Sequence, residues 1–188
     1  PLKEHGTEVL MGQDIKVISY VPKDNIVLYR TKSIDKLSAL DVKQLAHELT
    51  HYEQSIDKYK TYLERQGIDF SKKSPDELDE LRKELREGYG KLEPEVRDKV
   101  YGDWVRSFET EEAFVDAYLE EERKAQYAAE MVKAEIKRGS DQKGLVAGDA
   151  KFFTDEWLSN NREVYEQKAK NEYRRRIQEG VRPNEDKR

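Results

Sequence analysis

His47, Glu48 and His51 form an H-E-x-x-H motif within Leu45-Ala46-His47-Glu48-Leu49-Thr50-His51. On a helix, two histidines four residues apart project from one face about one turn apart, so both imidazoles can reach a single zinc ion. Glu48 lies between them, rotated off the ligand line but close enough to take a proton from water on the metal. That is the general-base role in metal-assisted hydrolysis. The alternative is an unremarked pair of histidines on a surface helix, since short motifs recur by chance. Two of the chain's three histidines fall in this motif. The third, His5, lies in a leader without periodic signal and is expected to be solvated. Leu45, Leu49, Tyr52, Ile56, Tyr59 and Leu63 recur at three- and four-residue spacing and predict the buried face of the same helix. His47 and His51 lie roughly 200° around from Leu45 and Leu49, off that stripe.

The chain has no cysteine, so any zinc must be held by His, Asp or Glu. A catalytic zinc has three protein ligands and one open position. The third ligand is therefore sought among carboxylates on a second helix. Thr110 is an N-cap candidate for a helix continuing to about Lys137, with Glu111 and Glu112 in its first turn. Glu112 and Asp116 share a face. The first is the candidate metal ligand, and the second could accept a hydrogen bond from the far nitrogen of a ligating histidine, fixing its tautomer. Glu109, Glu111 and Glu120 are rival ligands, and Tyr118, Tyr127 and Arg106 are candidates for stabilising an oxyanion.

Ala46-His47-Glu48-Leu49-Thr50-His51 followed by Glu112-Ala113-Phe114-Val115-Asp116 resembles the thermolysin-type gluzincin metallopeptidases, with their H-E-L-T-H and downstream E-A-x-x-D segments. The resemblance covers these two segments only. It implies His47, His51 and Glu112 as zinc ligands, Glu48 as catalytic base and Asp116 as the group that orients a ligand. The separation of the segments is longer than the family's, and no histidine follows His51 to steady a tetrahedral intermediate. The chain also looks like the small zincin modules at the C-termini of secreted bacterial toxins and effectors. That likeness implies a peptide or protein substrate, an inhibitor or immunity partner, and an origin as the C-terminal part of a secreted protein.

Bulk composition bounds these expectations. The 188 residues suit one domain of ordinary size. With 40% charged and 36% hydrophobic residues, long solvated helices around a thin core are expected. A net charge of −5 provides no long-range attraction to nucleic acid or an anionic membrane. No apolar run approaches the roughly 18 residues of a membrane span. No signal peptide is visible, although a chain beginning at Pro1 is expected to have a trimmed N-terminus.

Several elements must position the motif. Residues 1–13 read as a flexible leader. Ile15–Val21 and Ile26–Arg30, around Pro22-Lys23-Asp24-Asn25, predict a β-hairpin whose edge could pair with an extended substrate. The motif helix is expected to start at Ser38 or Asp35, run to about Arg65 and stop at Gly67. Ser74-Pro75-Asp76-Glu77 starts a second helix ending near Gly88-Tyr89-Gly90, and Glu95–Ser107 forms a third. Residues 139–144 break the long Thr110 helix, and Thr154 is expected to cap a last helix ending in Arg174-Arg175-Arg176. The expectation is a mostly helical α+β zincin-like domain over 14–180, with a small N-terminal hairpin or sheet, a long active-site helix and a polar tail at 181–188. The expected function is zinc-dependent peptide-bond hydrolysis through Glu48. The alternative is a non-catalytic helical interaction module with structural zinc or no metal.

Overall fold

A computed structural model describes residues 8–11, 19–21, 26–29, 38–70, 75–138 and 143–181. Among these the chain is mostly helical. Helices α1 (Ala39–Arg65), α2 (Pro75–Gly90), α3 (Pro94–Val105), α4 (Glu111–Arg138) and α5 (Lys143–Val181) follow three short strands, β1 (Glu8–Met11), β2 (Ser19–Val21) and β3 (Ile26–Tyr29).

Of the two starts expected for α1, Ser38 is the N-cap. Ser38 accepts from the Asp41 amide while Asp41 accepts from the Ser38 amide, a reciprocal capping box. The helix ends before Gly67, whose φ of 91° is open to glycine at little steric cost. Thr110 caps α4 through the Ala113 amide, 3.1 Å from its hydroxyl. The expected cap at Thr154 is not formed. Helix α5 runs through that position unbroken, and the Thr154 hydroxyl donates back to the Ala150 carbonyl at 2.7 Å. A threonine resembles a cap only if its amide neighbours are unsatisfied, and here the preceding turn satisfies them. Of the break expected at 139–144, Lys143 and Gly144 already belong to α5, while its remaining residues, the proposed cap at Ser74, His5 and most of the polar tail lie outside the described residues.

The hairpin expectation corresponds to β2 and β3, paired antiparallel with Tyr20 opposite Val27. The structure adds β1 within the segment read as a leader, parallel to β3 with Val9 opposite Val27. Sheet order is β1-β3-β2, so β2 lies at an edge and contacts α1. Parallel pairing between strands distant in sequence leaves no local signature, which is why it could not be read beforehand.

Helices α1, α4 and α5 form the frame of the site. Lys43 pairs with Glu130 near the start of α1, and the Gln54 amide donates to the Glu121 carbonyl further on. These contacts make α1 and α4 antiparallel. Arg138 meets Asp149 at one end of the next pair and Arg174 meets Glu111 at the other, so α5 runs back along α4 in the direction of α1. Ala125, Ala129, Ala134 and Ala150 are buried among these helices, and small side chains allow their backbones to approach closely.

Two apolar clusters flank this frame. Tyr20, Tyr52, Ile56, Leu81, Leu85 and Tyr89 join α1 to α2 and the sheet, with Leu45 and Leu49 packed against them. Val105, Phe114, Val115, Leu119 and Ala169 join α3, α4 and α5. The apolar stripe of α1 thus faces the first cluster, and its histidine face turns towards α4 and α5.

Candidate metal centre

The histidine face of α1 meets one acidic residue of α4. The Nε2 atoms of His47 and His51 are 3.1 Å apart, and Glu122 Oε2 lies 3.6 Å from the first and 3.5 Å from the second. Among the described residues, these three side chains are the group whose donor atoms converge as a metal site requires. Tetrahedral zinc with bonds of about 2.0–2.1 Å has ligand atoms about 3.3–3.4 Å apart, so the donors are spaced to fit it.

Side chains around the cluster hold its members in ligand-ready states. Gln54 Nε2 donates to the Glu121 carbonyl at 2.8 Å, which turns Gln54 Oε1 towards His51 Nδ1, also at 2.8 Å. An oxygen there can only accept, so Nδ1 keeps its proton and Nε2 is the nitrogen that offers a lone pair to the centre. His47 is positioned differently: its Nδ1 is buried without a hydrogen-bond partner, and its ring packs edge-on against Trp157 with centroids 6.2 Å apart.

Electrostatics tie the three together. Burial would raise the Glu122 carboxyl, but the two histidines outweigh it and hold it down to about 2. Burial would lower His51, yet Glu122 and Gln54 raise it above its ordinary value. Glu48 is raised chiefly by burial, against the opposing pull of a backbone hydrogen bond. That bond comes from the Tyr20 amide of β2, 2.7 Å from Glu48 Oε2. The amide therefore points away from β3, and the edge expected to meet substrate is occupied at this position by Glu48.

Glu112 and Asp116 stand apart from the histidine pair. Both are exposed on the first two turns of α4. Ten residues separate Glu112 from Glu122, about 15 Å along the helix axis. The rival ligands are also elsewhere: Glu109 is exposed before α4, Glu111 forms two hydrogen bonds to Arg174, and Glu120 forms two to Arg123. Of the oxyanion candidates, Tyr118 lines the site cavity, where burial and the charge of Glu122 raise its hydroxyl. Tyr127 lines a separate cleft with Lys151 and Thr154, and Arg106 is held by Asp103 at 2.6 Å. Sequence reasoning had not singled out Glu122, Gln54, Tyr165 or Lys168 for the site. Tyr165 of α5 lines the cavity, and burial beside Glu122 and Glu48 raises its hydroxyl to about 12. Helical phase relative to α1 would have favoured Glu122 only once the antiparallel docking of α4 was known.

No family model, curated protein or solved structure matches this chain.

Proposed function

We propose that the chain is a zinc-dependent hydrolase of peptide bonds, with His47, His51 and Glu122 as its metal ligands and Glu48 as its general acid and base. The convergence of two imidazole nitrogens and one carboxylate oxygen, in the same cavity as Glu48, carries this proposal. Bound zinc would supply a Lewis acid that polarises a carbonyl and brings the pKa of water towards about 7. Glu48, raised by burial, is a stronger base than an ordinary carboxylate and is suited to accept a proton and return it to a leaving amine. Tyr118 and Tyr165 are held protonated by their surroundings and can donate a hydrogen bond to an oxygen developing negative charge. The zincin-like α+β architecture belongs to the same proposal, supported by a sheet edge lying against the motif helix.

A non-catalytic, metal-free helical module has one observation in its favour. The two Nε2 atoms lie within hydrogen-bonding distance of each other and Glu122 pairs with both rings at 3.5–3.6 Å, contacts that can hold the cluster together without an ion.

Elemental mass spectrometry of wild type, His47→Ala and Glu122→Ala separates the two. Near one zinc per chain, lost in both variants, is expected. Absence of zinc after reconstitution would leave the metal-free module. Glu48→Gln is expected to keep zinc and lose most peptide hydrolysis, and undiminished turnover in that variant would remove Glu48 from the mechanism.

A further inference from the structure

The cavity holding the histidines and Glu48 encloses about 330 Å3, small for a ligand site. It extends along α1 past Gln54 and Ser55 to Lys58, and along α5 from Tyr165 to Lys168. Its two lysines differ. Lys58 is buried, bonded to both carboxylate oxygens of Glu121 at 2.6 and 2.8 Å, and lies over the Trp104 ring. Its charge is already answered. Lys168 is exposed, with its ammonium 4.6 Å from the Tyr165 ring centroid, and no carboxylate pairs with it among the described residues.

The helix pairings set the distance between this cation and the histidines. Phe114 packs on Tyr173 and Lys133 lies over Phe153, which puts Lys168 beside the turn of α4 near Tyr118. Gln54 and Lys58 both reach Glu121, so that turn of α4 lies beside the Lys58 end of α1. The backbone positions of Lys168 and Lys58 are therefore at nearly the same height, and the Lys168 ammonium reaches back from there towards Tyr165. From His51 to Lys58 is seven residues, about 10 Å along the axis. An extended peptide covers about 3.3–3.6 Å per residue, so this span corresponds to two or three residues.

We infer that the cavity selects short peptide segments bearing a carboxylate two or three residues from the scissile bond, and that Lys168 receives that carboxylate. This rests on the peptidase proposal above. The carboxylate could be a free C-terminus or an acidic side chain, since either oxygen pair meets an ammonium in the same way.

The test uses N-acetylated tetrapeptides of one sequence in three forms: with a free C-terminal carboxylate, amidated, and amidated with Glu as the last residue. Binding is measured calorimetrically on zinc-loaded and metal-free wild type, Lys168→Gln and Lys168→Arg, and cleavage is measured in parallel. An exposed charge pair worth up to about 1 kcal/mol predicts about fivefold tighter binding of carboxylate forms by wild type. Lys168→Gln should abolish that preference and Lys168→Arg should keep it. Equal preference for the free C-terminus and the Glu-amide would support carboxylate recognition from either source, and preference for one would identify its source. Equal binding of acid and amide by wild type, or an unchanged preference in Lys168→Gln, would overturn the inference. Carboxylate-selective binding without cleavage would leave the inference standing while removing the peptidase proposal. Cleavage indifferent to the carboxylate would do the reverse.

Discussion

Gln54 is the residue whose position most constrains the chemistry of the centre. It spans two helices, donating to the α4 backbone at Glu121 and accepting from His51 on its own helix. Losing such a partner of a ligating histidine typically weakens metal binding 10–100-fold. Gln54→Leu is expected to weaken zinc affinity by about that factor in a chelator competition, with the helix content unchanged by circular dichroism. The protons of the metal-free cluster should also leave a signature. His51 is raised in the fold, so its contribution to stability is full below its ordinary value of 6.5 and is lost as pH rises through the raised one. Glu122 is held down to about 2, so its contribution is full above 4.5 and is lost as pH falls towards 2. Metal-free protein should therefore gain most from this pair between pH 4.5 and 6.5. Thermal melts across pH on wild type and Glu122→Gln check this, and an unchanged profile in the variant would count against the coupling. Zinc, which needs the Nε2 lone pair of His51, should bind more tightly as pH rises through that window.

Helix α1 carries both faces of the design, one towards an apolar cluster and one towards the centre. Its start depends on the reciprocal bonds of Ser38 and Asp41. Ser38→Ala should cost about 1 kcal/mol, lowering the melting temperature by about 2–4 °C in a chain of this size. The histidines lie about two and a half to three and a half turns from that end, so zinc content should be unaffected. The α1 expectation matched because its signals are local: a cap, a periodic stripe and a glycine stop. The last helix starts earlier than its sequence suggests because Thr154 has the chemistry of a cap and the surroundings of a helix interior. The strand β1 has no local signal because its partner, β3, lies beyond the intervening strand in sequence.

Across the whole molecule, the centre lies where α1 packs directly on α4, and each of these helices also packs on its own apolar cluster. His47 and His51 belong to the helix anchored on α2 and the sheet, and Glu122 belongs to the helix anchored on α3 and α5. A bound ion should therefore clamp them together. Zinc at a hundredfold excess over its Kd should stabilise the fold by about 2.7 kcal/mol, measured by urea unfolding with and without metal. Glu122→Ala should show none of this gain, and an equal gain in that variant would exclude Glu122 as a ligand. No helix among the described residues is long and apolar enough to cross a membrane, in keeping with the absence of a long apolar run in the sequence.

The sequence by itself determined the helical character, the end of α1 and the spacing of His47 and His51 on one helix face, because each depends on residues within a few positions of one another, while the structure chose Ser38 over Asp35 as the start of α1. It also confined any metal to imidazole and carboxylate donors by lacking cysteine. Only the tertiary structure decided which carboxylate faces them. Glu112 and Glu122 are both acidic residues on α4, and nothing within that helix separates them. Antiparallel docking against α1, through Lys43 with Glu130 and Gln54 with Glu121, brings Glu122 opposite the histidines and leaves Glu112 about three turns away. The cation at Lys168 was hidden for the same reason, since its distance from the motif follows from how three helices align.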